Sequence, residues 1–192
     1  WEQTLLVNNF LGLNDEIVRI ASEALTIFDD KPNLFLIRAN AYRNLEEYEL
    51  AVVDLKEMDG RDISDRMKVQ AYNLLAEIYR ETNEYNKSDY YFELILQVEP
   101  DNMMIRNNYA YYLSLREEKL DRAEVLSRQT IKMEPKNATY LDTYGWVLFK
   151  QGKLEEAKKY IEAAIRNGAY TNAEVLEHYG DIMHSLDRCT EA

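Results

Sequence analysis

Apolar residues return along this chain at steps of three and four, the spacing of amphipathic helices, and the helical stretches come in pairs separated by short polar turns. Within the pairs a small residue recurs every 34 to 37 positions, as Ala39, Ala76, Ala110, Gly145 and Gly180. A second follows 12 or 13 positions later, as Ala51, Ser88, Ala123, Ala157 and Ala192. Two small residues per period mean two helices crossing so closely that nothing larger fits at the contact. The pattern predicts an all-α solenoid of antiparallel helix pairs, about five and a half of them. They fall at 1–31, 32–66, 69–102, 103–137, 138–171 and an incomplete 172–192, read as one domain.

Counting each repeat so that its first small residue is position 8, the third is the most regular of the early ones. It has Tyr72 at 4, Leu75 at 7, Tyr79 at 11, Tyr85 at 17, Phe92 at 24, Ile95 at 27 and Pro100 at 32. Repeat four carries Arg106 at the usually apolar position 4 and one extra residue in the turn near Glu117 and Glu118. Repeat two has a longer exit loop, Asp59 to Asp65. Repeat one places Trp1 at position 4, Asn8 at the usually apolar position 11, and Ile17, Ala21 and Ala24 on its second helix. Repeat six aligns from Leu176 with Leu141 onward and stops at Ala192, where its second helix should begin. A chain ending there, and starting at Trp1, is expected to be a fragment. Its stripe of Leu176, Tyr179, Ile182, Met183 and Leu186 is expected to lack half its cover, so that the chain self-associates through this end or repeat six frays.

Repeat five runs Tyr140-Leu141-Asp142-Thr143-Tyr144-Gly145-Trp146, then a Gly152-Lys153 turn, Glu155-Glu156-Ala157 and a second amphipathic helix. This order resembles the tetratricopeptide repeat, and the resemblance extends over nearly the whole chain. It implies a right-handed superhelix that acts as a non-catalytic protein-interaction scaffold and holds an extended peptide or partner segment in its concave groove. In the resembled fold, positions 2, 5, 9, 12 and 13 of each first helix face that groove. Carried onto this sequence they include Asn40, Arg43, Asn73, Arg80, Asn107, Tyr111, Trp146 and Phe149. The three Asn amides can donate to and accept from a peptide backbone at once. The aromatic residues would anchor a partner's apolar side chain, with Trp146 expected to stand exposed. Position 5 holds Asn73, Asn107 and Asp142, with no Lys, so the carboxylate clamp of one familiar subclass is not expected. The stretch from Tyr140 to Arg188 also resembles tetratricopeptide proteins of Gram-negative bacteria, some of which belong to the cell envelope.

Charge narrows the partner. With 35 acidic against 23 basic residues, a net charge of −12 opposes phosphate backbones and makes an RNA-binding helical repeat a remote alternative. The apolar runs are far below the roughly 18 residues a membrane span needs. One cysteine, Cys189, excludes an internal disulfide and fits a packing role at position 17. His178, Asp181 and His184 are the one candidate metal cluster. Their three-residue spacing on a helix makes the outer pair diverge by roughly 120°, so surface histidines and no metal are expected. No phosphate loop, nucleophile motif or cofactor signature is present. The expectation is therefore no enzyme, no cofactor and a protein or peptide partner, with self-assembly as the alternative.

Overall fold

The computed structural model describes Trp1, Thr4, Asn8 and residues 10–190, without the side chains of 188–190, so Ala192 and the Cys189 side chain lie outside it. The chain divides into two compact units, Trp1–Pro100 and Asp101–Ala192. The first holds α1 (Asn14–Leu25), α2 (Pro32–Asn44), α3 (Tyr48–Lys56), α4 (Asp65–Glu81) and α5 (Tyr85–Val98). The second holds α6 (Met103–Leu115), α7 (Leu120–Met133), α8 (Ala138–Lys150), α9 (Leu154–Ala164) and α10 (Ala173–Thr190). A short π-helical segment, Ile165–Ala169, precedes α10 and is interrupted by non-helical Asn167 and Gly168. The fold class is the expected one, all-α and built of paired helices.

The small residues sit where the helices cross. Ala39, Ala51, Ala76, Ala110, Ala123 and Ala157 are fully buried, and Ser88 nearly so. Gly180 breaks the series: it is exposed, and a Cβ added to it would meet nothing within 4 Å. In repeat one Ile17, Ala21 and Ala24 are buried as expected, whereas Trp1 is exposed.

The turn inside each hairpin bends through one left-handed residue at the same repeat position: Glu46 (φ 62°), Asn83 (φ 60°), Glu117 (φ 55°) and Gly152 (φ 77°). The extra residue in repeat four brings a second, Lys119 (φ 48°). Of these residues Gly152, which has no Cβ, is the one that adopts this conformation without a steric penalty.

Unit one is also tied by charge. Arg38 of α2 donates Nε to Asp54 Oδ2 at 2.7 Å and Nη2 to Oδ1 at 2.6 Å. Its Nη1 donates to Ser22 Oγ of α1 at 2.9 Å. One guanidinium thus joins three helices, its fork matched to a buried carboxylate.

Candidate functional site

Three helices of unit two start in step because each is capped alike. Asn102, Asn137 and Asn172 accept from backbone N–H groups of the first turns of α6, α8 and α10, for example from Ile105 at 3.1 Å, Thr139 at 3.1 Å and Glu174 at 3.0 Å. Their common spacing of 35 residues repeats the register of the groove positions.

From these helices Tyr111 of α6, Trp146, Phe149 and Lys150 of α8, and Glu174 and His178 of α10 form one cluster. Trp146 stacks on His178 at 3.9 Å between ring centroids with 15° between planes, and on Phe149 at 4.9 Å and 27°. His178 Nδ1 stands 3.0 Å from Asp142 Oδ1, a bond in which the imidazole donates to the carboxylate. The Tyr111 hydroxyl donates to Glu174, and its ring lies 6.3 Å from His178. Burial, followed by the bond to anionic Glu174, pushes the Tyr111 phenol well above its ordinary range. Lys150 Nζ reaches Glu117 at 2.9 Å and lies 4.9 Å from the Trp146 ring.

Two expectations are corrected here. Trp146 is not an exposed anchor: it is 7% exposed, because His178, from the helix that follows the π segment, stacks on it. Asn107 is likewise buried, at 5%. Asn107 Oδ1 and Trp146 Nε1 are both enclosed without a hydrogen-bond partner. Tyr111 and Phe149 remain half-exposed.

His178 itself was expected at the surface and is buried instead, the member of the cluster that sequence reasoning missed. Its repeat position, 6, is not among those facing the groove in the resembled fold. Asp181 and His184 point elsewhere and are exposed, and among the described residues no three His, Cys, Asp or Glu side chains are placed to hold a metal. The apolar stripe of α10 is largely covered: Ile182 is buried and Tyr179 and Leu186 pack with it against repeat five, leaving Leu176 exposed.

In unit one, Asn40 and Asn73 are half-buried on α2 and α4. The two arginines expected beside them are engaged by acids. Arg43 donates Nε to Glu81 Oε2 at 3.1 Å, crossing from α2 to α4, and Arg80 donates to Glu77 at 3.0 and 3.1 Å.

The family model described as Tetratricopeptide repeat matches residues 69–102 and 138–167. A TPR repeat-containing protein of Pseudomonas aeruginosa is 29% identical over 148 residues, which are 77% of this chain and 24% of that protein. The chain thus spans about a quarter of the length of this curated relative. Among solved structures, that of MamA superposes with a TM-score of 0.72 at 16% identity, over 88% of this chain and 91% of that one. YrrB, described as a TPR protein with an unusual peptide-binding site, superposes with a TM-score of 0.73 at 13% identity, over 92% and 88%. No described helix is long and apolar enough to cross a membrane. With the matched stretches and the small-residue register coinciding, residues 69–102 and 138–167 match tetratricopeptide repeats, and the chain as a whole is similar to bacterial proteins of that family.

Proposed function

We propose that this chain is a non-catalytic scaffold that holds an extended partner segment against the first helices of its repeats. Tyr111 and Phe149 form the contact surface of unit two. Asn40 and Asn73 offer main-chain hydrogen bonds in unit one, and Arg43 and Arg80 act there as paired charges. Trp146 and Asn107 support the surface from behind: the indole holds Phe149 and His178 in place, and Asn107 lies buried one helical turn before Tyr111. The observation that carries this is the aromatic cluster itself: Phe149 is held by stacking on Trp146 and Tyr111 by its bond to Glu174, so both rings lose little freedom on binding. YrrB, of the same fold, is described as peptide-binding, which supports the reading by analogy.

The test is site-directed photo-crosslinking in cell lysate. A crosslinking residue at Tyr111 should capture one protein or a few, identified by mass spectrometry, while the same residue at the exposed Val125 of α7 should not. Equal products from both positions would contradict the proposal. Crosslinks only to a second copy of the chain would favour self-assembly instead.

A further inference from the structure

We propose that the α6, α8 and α10 face of unit two selects a cationic side chain of its partner, an ammonium or guanidinium, and that Lys150 fills that seat in the free protein. This rests on the partner-binding reading above and adds the chemistry of the partner.

Lys150 Nζ lies 4.9 Å from the Trp146 ring centroid and 5.8 Å from that of Phe149, with Glu117 Oε1 at 2.9 Å. A cation above an aromatic face is drawn by the ring quadrupole, most strongly by indole. The stacked pair of rings is therefore a cation seat already in use. The charges around it favour the same occupant. Three carboxylates, Glu174, Asp142 and Glu177, act on Tyr111 of this cluster, and the one ammonium at the corresponding repeat positions of α6, α8 and α10 is Lys150. Asp142 is matched by His178, and Glu174 accepts from neutral Tyr111, which leaves its negative charge uncompensated.

Lys150 is suited to leave. Its ion-pair partner Glu117 is 63% exposed against 21% for Lys150 itself, and a pair open to water on one side contributes little. The long stem can swing into water while an incoming cation takes over the contact with both rings. The exchange replaces one charge by another, so the aromatic face holds a cation in both states.

The measurement must be local. Residues 1–100 carry 20 acidic against 10 basic residues, and 101–192 carry 15 against 13, so a basic peptide is attracted to unit one by charge alone. The full chain holds two Trp residues, so in a Trp1→Phe background the Trp146 indole N–H gives a single resonance. End-capped tetralysine should shift it saturably, and end-capped tetra-acetyl-lysine should not. Lys150→Met keeps the stem, removes the resident charge and should tighten tetralysine binding roughly five- to tenfold. Equal shifts with both peptides, no shift with tetralysine, or a Lys150→Met variant that binds no more tightly would each overturn the proposal. Capture at Tyr111 would still stand after any of these, so the partner-binding reading fails or survives separately.

Discussion

A Cβ placed on Gly145 would stand 2.8 Å from Ile161 Cδ1 and 2.9 Å from Cγ1, with the Ala157 carbonyl oxygen at 3.2 Å. Ile161 is fully buried, and the carbonyl belongs to the backbone of α9 itself. The crossing of α8 and α9 therefore depends on a missing side chain. Gly145→Leu should destabilise the chain by at least about 1–3 kcal/mol through overpacking. Gly180→Ala, on an exposed helix face with nothing near, should instead stabilise by about 0.5–1 kcal/mol through helix propensity. Thermal melts of both variants check this, and the opposite signs are the diagnostic.

Trp146 and His178 should behave as core. Trp146→Ala should cost about 3–5 kcal/mol, as for other large buried aromatics. His178→Ala should cost about 1–3 kcal/mol, because it strands the buried Asp142 carboxylate. Denaturant titration gives both values, and a His178→Ala variant of unchanged stability would show that the Asp142 contact contributes nothing.

Hairpin turns should respond to glycine in a position-specific way. Gly152→Ala should destabilise by about 1–2 kcal/mol, since φ is +77° and the cost comes from the backbone with no neighbour to clash. Asn83→Gly, at the equivalent turn with φ 60°, should be neutral or slightly stabilising. Melting temperatures of the two variants decide it.

Much of this fold is legible in the sequence because a helix crossing forces small residues at a fixed interval, and Ala39, Ala76, Ala110 and their partners obey that constraint visibly. The turn of repeat four, with its extra residue, is legible for the same reason. The aromatic cluster is only half legible. Tyr111 and Phe149 follow from repeat position, but the burial of Trp146 depends on His178, 32 residues later, at a position that carries no comparable pattern. Gly180 matches the small-residue register yet meets nothing, because a register predicts a contact only where a second helix is packed against it.

Acidification should loosen unit two through Glu124. Burial raises this carboxyl, but the bonds from Lys153 and Gln151, with the Lys153 and Arg128 charges, outweigh it and hold the group below its ordinary range. The unfolded chain then binds its proton first, so the contribution is full above the ordinary carboxylate range and is lost as pH falls through the lowered value. Lys153 immediately precedes α9 and Glu124 sits on α7, so the loss slackens the 2.9 Å tie between them. Glu124→Gln should flatten part of the stability-against-pH curve on its acid side, and an identical curve would exclude a role for this pair.

The claim that partners bind on the first-helix face of unit two is tested most directly by affinity. The protein captured by crosslinking at Tyr111 should be purified and titrated calorimetrically against the wild type, Phe149→Ser and Val125→Ser chains. Phe149, half-exposed and stacked on Trp146, should lose about 2 kcal/mol or more of binding free energy on truncation, whereas exposed Val125 on α7 should lose nothing measurable. Equal affinity of the wild type and Phe149→Ser chains, with Val125→Ser the weaker, would place the interaction on the other helices and contradict the account.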